Sequence, residues 1–218
     1  MYFPITIIDN FCKNFDEIKF LANSSQFFEK KINTMPGQET KNLYEINYDY
    51  FLYITRKVLL NFYDRYLIND LHYSCLSKFE KIKPYGTEYD KDGWIHYDDQ
   101  NMLSAIYYIE GNHNEGTSFY KTKNISYPDF TSLRIKEKLY SGEKIDANFY
   151  NSNLKKFNNQ FEEILKVPFI PNRIVIFDSS IYHKSDGLGE LKNPRLIQTF
   201  FFSEIKAKSF PIAEINRI

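Results

Sequence analysis

Two periodicities divide the chain. Over residues 50–66 the apolar positions Phe51, Ile54, Val58, Leu59, Phe62 and Tyr66 recur three and four apart, which predicts a helix with one face packed on a larger surface. Ahead of it, residues 3–8 form a short β-branched run closed by Asp9 and Asn10, read as a strand that ends in a turn or cap before a further helix. From residue 76 onward the period shortens to two. Segments 76–85, 94–98, 103–109, 117–120, 173–177 and 195–202 are rich in aromatic and β-branched residues and are separated by Gly, Pro, Asn and Asp, the texture of short strands. One interruption, residues 121–167, is polar except at its end, where Leu154, Phe157, Phe161, Ile164 and Leu165 follow Asn151-Ser152-Asn153 and predict a capped amphipathic helix. Helices first and short strands afterwards predict a mainly β protein with flanking α-helices, an antiparallel sandwich closed as a jelly roll.

Composition narrows the picture. A chain of 218 residues is expected to form one domain over 1–218, with a helical buttress over 1–75 and a strand-rich core over 76–203. Hydrophobic residues at 43% and aromatics at 18% supply a large core and exclude a disordered chain. Twenty-eight basic residues balance twenty-eight acidic ones, so neither nucleic acid nor an anionic membrane is an expected partner. Cys12 and Cys75 fit neither a disulfide framework nor a CxxC metal site and are expected as free thiols in a reducing compartment.

The chemistry begins with histidine. One of the four stands in WIHYDDQ, residues 94–100, two positions before an aspartate. Thirteen aspartates give about one such coincidence in four by chance among four histidines, so His96-x-Asp98 alone is a weak signal. On a strand, however, residues two apart project from one face, and a strand end can present an imidazole and a carboxylate to one cation. His183 supplies a third ligand: it follows the apolar run Ile174-Val175-Ile176-Phe177 in RIVIFDSSIYHKSDG, 87 positions beyond His96. Two histidines and a carboxylate on one face of an octahedron are the ligand set of non-haem Fe(II) oxygenases; zinc enzymes draw on the same ligand types, and the triad leaves both metals open.

Arg195 discriminates between them. In NPRLIQTFFF, alternation places Arg195, Ile197, Thr199 and Phe201 on one face of a strongly apolar strand. An inward guanidinium costs on the order of several kcal/mol unless an anion meets it, and its planar fork suits a carboxylate. A side-chain partner would make it structural; the far carboxylate of a keto diacid would make it a cosubstrate anchor. Charge favours the anchor, because Fe(II), Asp98 and Arg195 together carry about +2, which a 2-oxoglutarate dianion cancels.

The segments HYD, LSAIYYI, EGTSFY, IVIFDSSIYH and RLIQTFFF, in this order within residues 76–203, resemble the prolyl-4-hydroxylase-like branch of the Fe(II)/2-oxoglutarate-dependent dioxygenases, and are similar to bacterial and viral members of that superfamily. The resemblance implies a double-stranded β-helix, the cupin-like jelly roll, with iron held by His96, Asp98 and His183, 2-oxoglutarate anchored on Arg195, and O2 as the other cosubstrate. It implies that Tyr108 hydrogen-bonds the cosubstrate, that Tyr85 contacts it from the strand before His96, and that Thr199 lines the site. Ile106 shares the face of Tyr108 by alternation and is expected in the same pocket.

The implied reaction is hydroxylation of a C–H bond with release of succinate and CO2, because Asp98 retains the carboxylate that halogenating relatives replace. The expected substrate is a small molecule or a peptidyl side chain, with free amino acids and nucleobases also compatible. The free thiols, together with an N-terminus lacking a basic segment and long apolar run, make the cytoplasm the expected location, that of the host for a viral member. Two departures stand out: Glu115-Gly116 replaces a Gly-Gly turn, and residues 121–167 exceed the hairpin expected there, which suits a lid or substrate wall.

Plain readings cover the remaining candidates. His72 and His113 fall at a helix end and in a turn and are expected at the surface, Asp99 points away from Asp98, Trp94 belongs to a core, and Asp178 is not expected to orient His183. Two rival functions stand beside the oxygenase: a jelly-roll protein that binds metal without turnover, and a structural, viral-type jelly roll without metal. Arg195 paired to a protein carboxylate, with His96 turned outward, would mark the last.

Overall fold

Alternation in the strands is realised on the two faces of one large sheet. The computed structural model describes residues 3–30, 36–123 and 128–208. In chain order the elements are β1 (Thr6–Ile8), α1 (Phe15–Ser24), β2 (Phe28–Glu29), β3 (Gly37–Glu39), α2 (Leu43–Ile46), α3 (Tyr48–Leu59), β4 (His72–Ile82), β5 (Leu103–Glu110), β6 (Thr117–Thr122), α4 (Leu133–Tyr140), α5 (Ala147–Asn158), β7 (Phe161–Val167), β8 (Ile174–Asp178), β9 (Tyr182–Ser185) and β10 (Arg195–Lys206). Seven strands form the major sheet in the order β1-β8-β5-β10-β4-β3-β2, and three form the minor sheet, β7-β6-β9. Every pairing is antiparallel. The long connections that interleave the two sheets make this the predicted mainly β jelly roll with helices outside it.

Along β5, Leu103, Ala105, Tyr107 and Ile109 pack under the helices, while Tyr108 and Ile106 face the minor sheet. On β8 the same division separates Ile174 and Ile176 from Val175 and Phe177, and on β10 it separates Leu196, Phe200 and Phe202 from Ile197. The helical layer is secured by the stripe Phe51, Ile54, Val58 and Leu59 of α3, whose start is capped by Asn47 Oδ1 accepting from the Tyr50 N–H. The face of the sheet turned away from the helices is therefore left to line an interior between the two sheets, and that is where the site lies.

Four expectations are corrected. The helix predicted over 50–66 ends at Leu59, and Tyr66 is 87% exposed; Tyr66 falls in a separate 3-10 turn over Arg65–Asp70, so four of the six stripe residues, Phe51, Ile54, Val58 and Leu59, belong to the helix. Besides the predicted strand, which is β1, the helical segment 1–75 also holds β2 and β3, which extend the opposite edge of the major sheet. Residues 94–98 form no ladder of their own and are held by one isolated bridge, His96 to His183. Within the insertion, whose residues 124–127 lie outside the described residues, the predicted helix stops at Asn158, is capped by Asp146 instead of the Asn151 region, and gives way to β7 paired with β6. Leu154, Phe157 and Phe161 still enter one core cluster, from two different elements; a short apolar run does not by itself distinguish helix from strand.

Candidate metal centre

The isolated bridge explains how residues 87 positions apart meet. His96 and His183 exchange both backbone hydrogen bonds, N–H to O at 2.9 and 2.8 Å, so they oppose each other across an antiparallel pair with side chains on one side. Asp98, two residues on, is tied by its N–H to the Ser179 carbonyl at 2.9 Å and projects to that same side. The imidazole centroids stand 4.5 Å apart.

Each ring is oriented by a carbonyl two residues before it. His96 Nδ1 lies 2.8 Å from the Trp94 oxygen and His183 Nδ1 lies 2.9 Å from the Ile181 oxygen. A carbonyl only accepts, so both Nδ1 atoms carry the proton and both Nε2 lone pairs are free. Both face the same carboxylate: His96 Nε2 is 3.9 Å from Asp98 Oδ1 and His183 Nε2 is 3.7 Å from Asp98 Oδ2. These separations are too long for hydrogen bonds, and the donor atoms of the three residues lie within 4.8 Å of one another, a span that one cation can bridge.

Electrostatics agrees with ligation by neutral rings. Burial, followed by the neighbouring His183 and Lys136, holds the His96 imidazolium well below the usual histidine range, so the ring is uncharged near neutrality. His183 is 4% exposed and packs against Phe177 at a centroid distance of 4.6 Å, which keeps one side of the cluster dry. Asp98 is oriented in turn by Ser104, whose hydroxyl donates to Oδ2 at 2.6 Å and contacts the Ser179 hydroxyl at 2.8 Å. Ser104→Ala is expected to weaken divalent metal binding by roughly 10- to 100-fold with little change in folding, measured by titrating Mn(II) against the water-proton relaxation signal.

The triad and Arg195 share one cavity of about 1280 Å³ on the inner face of the major sheet. Arg195 is 1% exposed, and alternation along β10 brings Ile197, Thr199 and Phe201 to the cavity beside it, as the sequence predicts. Its Nη1 donates to the carbonyls of Gly116 at 3.2 Å and Gly187 at 3.4 Å and to the Ser185 hydroxyl, all uncharged acceptors. Its Nε has no hydrogen-bond partner. Among the described residues no carboxylate pairs with this guanidinium, although burial disfavours its charge. Gly116 is needed here because a Cβ would stand 2.0 Å from the Val167 oxygen, so the one glycine left of the expected pair sits where backbones touch.

The other expected contacts divide. Ile106 and Thr199 line the cavity, and the Thr199 hydroxyl donates to Glu80 Oε1 at 2.9 Å. Tyr108 stands behind the wall: its hydroxyl donates to Thr117 Oγ1 at 2.8 Å, its ring stacks on Phe169, and Arg195 lies over it at 5.4 Å. Tyr85 is displaced from the expected place, since β4 ends at Ile82 and the ring packs on Tyr89 and Tyr140 instead of lining the cavity. His72, His113 and Asp99 are exposed, Trp94 is buried with its Nε1 donating to the Tyr150 hydroxyl, and Asp178 accepts from Ser180.

Two cavity groups escape the sequence reading. Glu80, buried on β4, pairs with Lys30 at 2.7 Å. Lys136, on α4 of the insertion, reaches the cavity next to His96, and burial pushes its ammonium down to about 8. Its three- and four-residue spacing from Leu133, Leu139 and Tyr140 was the available signal, because it puts the lysine on the packed face of the helix.

The jelly roll thus gathers two imidazoles, one carboxylate and a buried guanidinium without a carboxylate partner into one cavity. The chain belongs to a protein family of unknown function, DUF6445, whose model matches residues 2–188. No curated protein matches it in sequence. Among solved structures, it is similar to the epimerase SnoN in complex with Fe3+, alpha ketoglutarate and nogalamycin RO, at 9% identity and a TM-score of 0.56, over 98% of this chain and 85% of that one. EvdO2 from Micromonospora carbonacea var. aurantiaca, complexed with 2-oxoglutarate, matches at 14% identity and a TM-score of 0.54, over 95% and 89%. HygX from Streptomyces hygroscopicus, with nickel and 2-oxoglutarate bound, matches at 10% identity and a TM-score of 0.52, over 91% and 82%. At such identities the likeness establishes the fold. No helix among the described residues is long and apolar enough to cross a membrane.

Proposed function

We propose that this protein is a non-haem Fe(II)- and 2-oxoglutarate-dependent dioxygenase of the prolyl-4-hydroxylase-like branch, hydroxylating a C–H bond of a small-molecule or peptidyl substrate. One arrangement carries the reading: three side chains with free metal-binding atoms converge, and a buried arginine with no carboxylate partner opens onto the same cavity. His96, Asp98 and His183 would hold the metal, and Arg195 would hold the distal carboxylate of 2-oxoglutarate. Bound iron with 2-oxoglutarate and O2 would supply an oxidant for the C–H bond, with succinate and CO2 released.

The chain's own residues have defined tasks in this scheme. The Trp94 and Ile181 carbonyls keep the ligating nitrogens unprotonated, and Ser104 keeps the Asp98 carboxylate turned toward them. Ile106 and Thr199 shape the space between metal and arginine, with Tyr108 and Phe169 as a flat support beneath the guanidinium. Neither nucleic acid nor a membrane has a place in this reading, and the cytoplasm is the proposed location.

Anaerobic addition of Fe(II) and 2-oxoglutarate to the wild-type chain is expected to give the weak visible absorption band of a keto-acid chelate. Absence of that band at saturating concentrations of both would remove the proposal. A band without any succinate on admission of O2, across a broad substrate screen, would leave a protein that binds metal without turnover.

A further inference from the structure

We propose that Lys136 receives the anionic end of the primary substrate, a carboxylate, and so holds the substrate against the metal centre; this rests on the oxygenase reading above. Its surroundings set it apart from the other cationic side chains of the cavity. Lys30 is paired with Glu80 and Lys78 with Glu39, each at 2.7 Å. Lys184 is paired with Asp92, and Lys41 is exposed to water. Lys136 is partly buried, and among the described residues it makes no ion pair within 4.0 Å and no hydrogen bond; its ammonium stands 5.5 Å from the Tyr140 ring, and Glu137 and Asp98 favour its charge only from beyond ion-pair distance. A partly buried ammonium with an aromatic face beside it and no carboxylate within ion-pair distance is incompletely compensated.

Position and rigidity favour a binding role. Leu139 and Tyr140 of the same helix are buried in the cluster formed with Trp94, Tyr150, Leu154 and Phe157, so α4 is packed down and Lys136 lies on its inner face. That places the lysine beside His96 on the cavity wall; of the carboxylates near it, Glu137 is an exposed neighbour on the same helix and the charge of Asp98 is committed to the metal in the reading above, while Glu80 and Glu39 are paired with Lys30 and Lys78. Charge points the same way. At the metal centre itself, iron, Asp98, Arg195 and a 2-oxoglutarate dianion sum to zero, and Lys136 beside it adds about +1 that a substrate monoanion neutralises; the remaining charged groups of the cavity are paired or exposed to water. The insertion is then a wall of the pocket that supplies substrate recognition.

The test uses the full chain loaded with Mn(II) and saturating 2-oxoglutarate, so that Arg195 is already occupied and no turnover occurs. The probes are 4-fluorophenylacetate and the neutral 4-fluorophenylacetamide, followed by paramagnetic broadening of their 19F lines. The acid is expected to broaden at least fivefold more than the amide with wild type. Lys136→Met should erase that preference and Lys136→Arg should keep most of it, with 2-oxoglutarate affinity unchanged in both. Equal broadening of the two probes, including none for either, or a preference that survives in Lys136→Met, would overturn the assignment. So would a loss of 2-oxoglutarate affinity in Lys136→Met, which would make the lysine a cosubstrate anchor. Failure of the wild type to bind Mn(II) at all would instead strike the oxygenase reading itself.

Discussion

His183→Ala is expected to abolish the Fe(II)/2-oxoglutarate absorption band and to weaken divalent metal binding by more than the roughly 10- to 100-fold that follows loss of an outer-shell partner. The reason is geometric. His183 supplies one of three donor groups, its Nε2 stands 3.7 Å from Asp98 Oδ2, and its ring is locked by the Ile181 carbonyl; among the described residues only His96 and Asp98 join it in the cluster. The backbone bridge to His96 is made by main-chain atoms and survives the substitution, so folding should be little affected. Isothermal titration with Mn(II), alongside urea unfolding of the metal-free protein, separates the two effects. Alanine at the exposed His72 is the control and should leave metal binding unaltered. Equal metal affinity for wild type and His183→Ala would mean that the cation, if bound, sits elsewhere.

Arg195→Ala should act on the other half of the site. Removing one partner of a buried charge pair costs about 2–5 kcal/mol, so the dissociation constant of 2-oxoglutarate is expected to rise by roughly 30- to several-thousand-fold. Metal affinity without 2-oxoglutarate should change much less, since the guanidinium bonds to the Gly116 and Gly187 carbonyls and the Ser185 hydroxyl, none of which belongs to the triad. Arg195→Lys is expected to recover only part of the loss, because an ammonium cannot reproduce the planar fork. The measurement is the 2-oxoglutarate dependence of the chelate band, paired with Mn(II) titration. Comparable losses for metal and 2-oxoglutarate in Arg195→Ala would assign the arginine to the fold instead.

The inner face of the cavity is legible in the sequence because strand alternation has a fixed period. Arg195, Ile197, Thr199 and Phe201 point together for the same reason that His96 and Asp98 do. Where the local pattern is ambiguous, legibility fails. Phe161 continues the spacing of Leu154 and Phe157 and reads as helix, yet pairing with β6 draws it into a strand. Tyr66 fits the stripe of α3 in number only, since the helix has already ended. Tyr85 is displaced because β4 stops three residues short of it. Lys136 shares the face of Leu133, Leu139 and Tyr140 by spacing, but a lysine in a polar segment reads as solvated until the neighbours that bury that face are known.

By itself, the sequence determined which chemical groups were available and which shared a face: two imidazoles, a carboxylate two residues from one of them, and an arginine in an apolar strand. Only the tertiary structure decided that they share one cavity, because the bridge from His96 to His183 joins segments far apart in the chain and depends on both sheets being closed. It also decided that Arg195 meets no carboxylate among the described residues and that the insertion turns a lysine inward, since burial and pairing are properties of what packs around a residue and are not written in its neighbours along the chain.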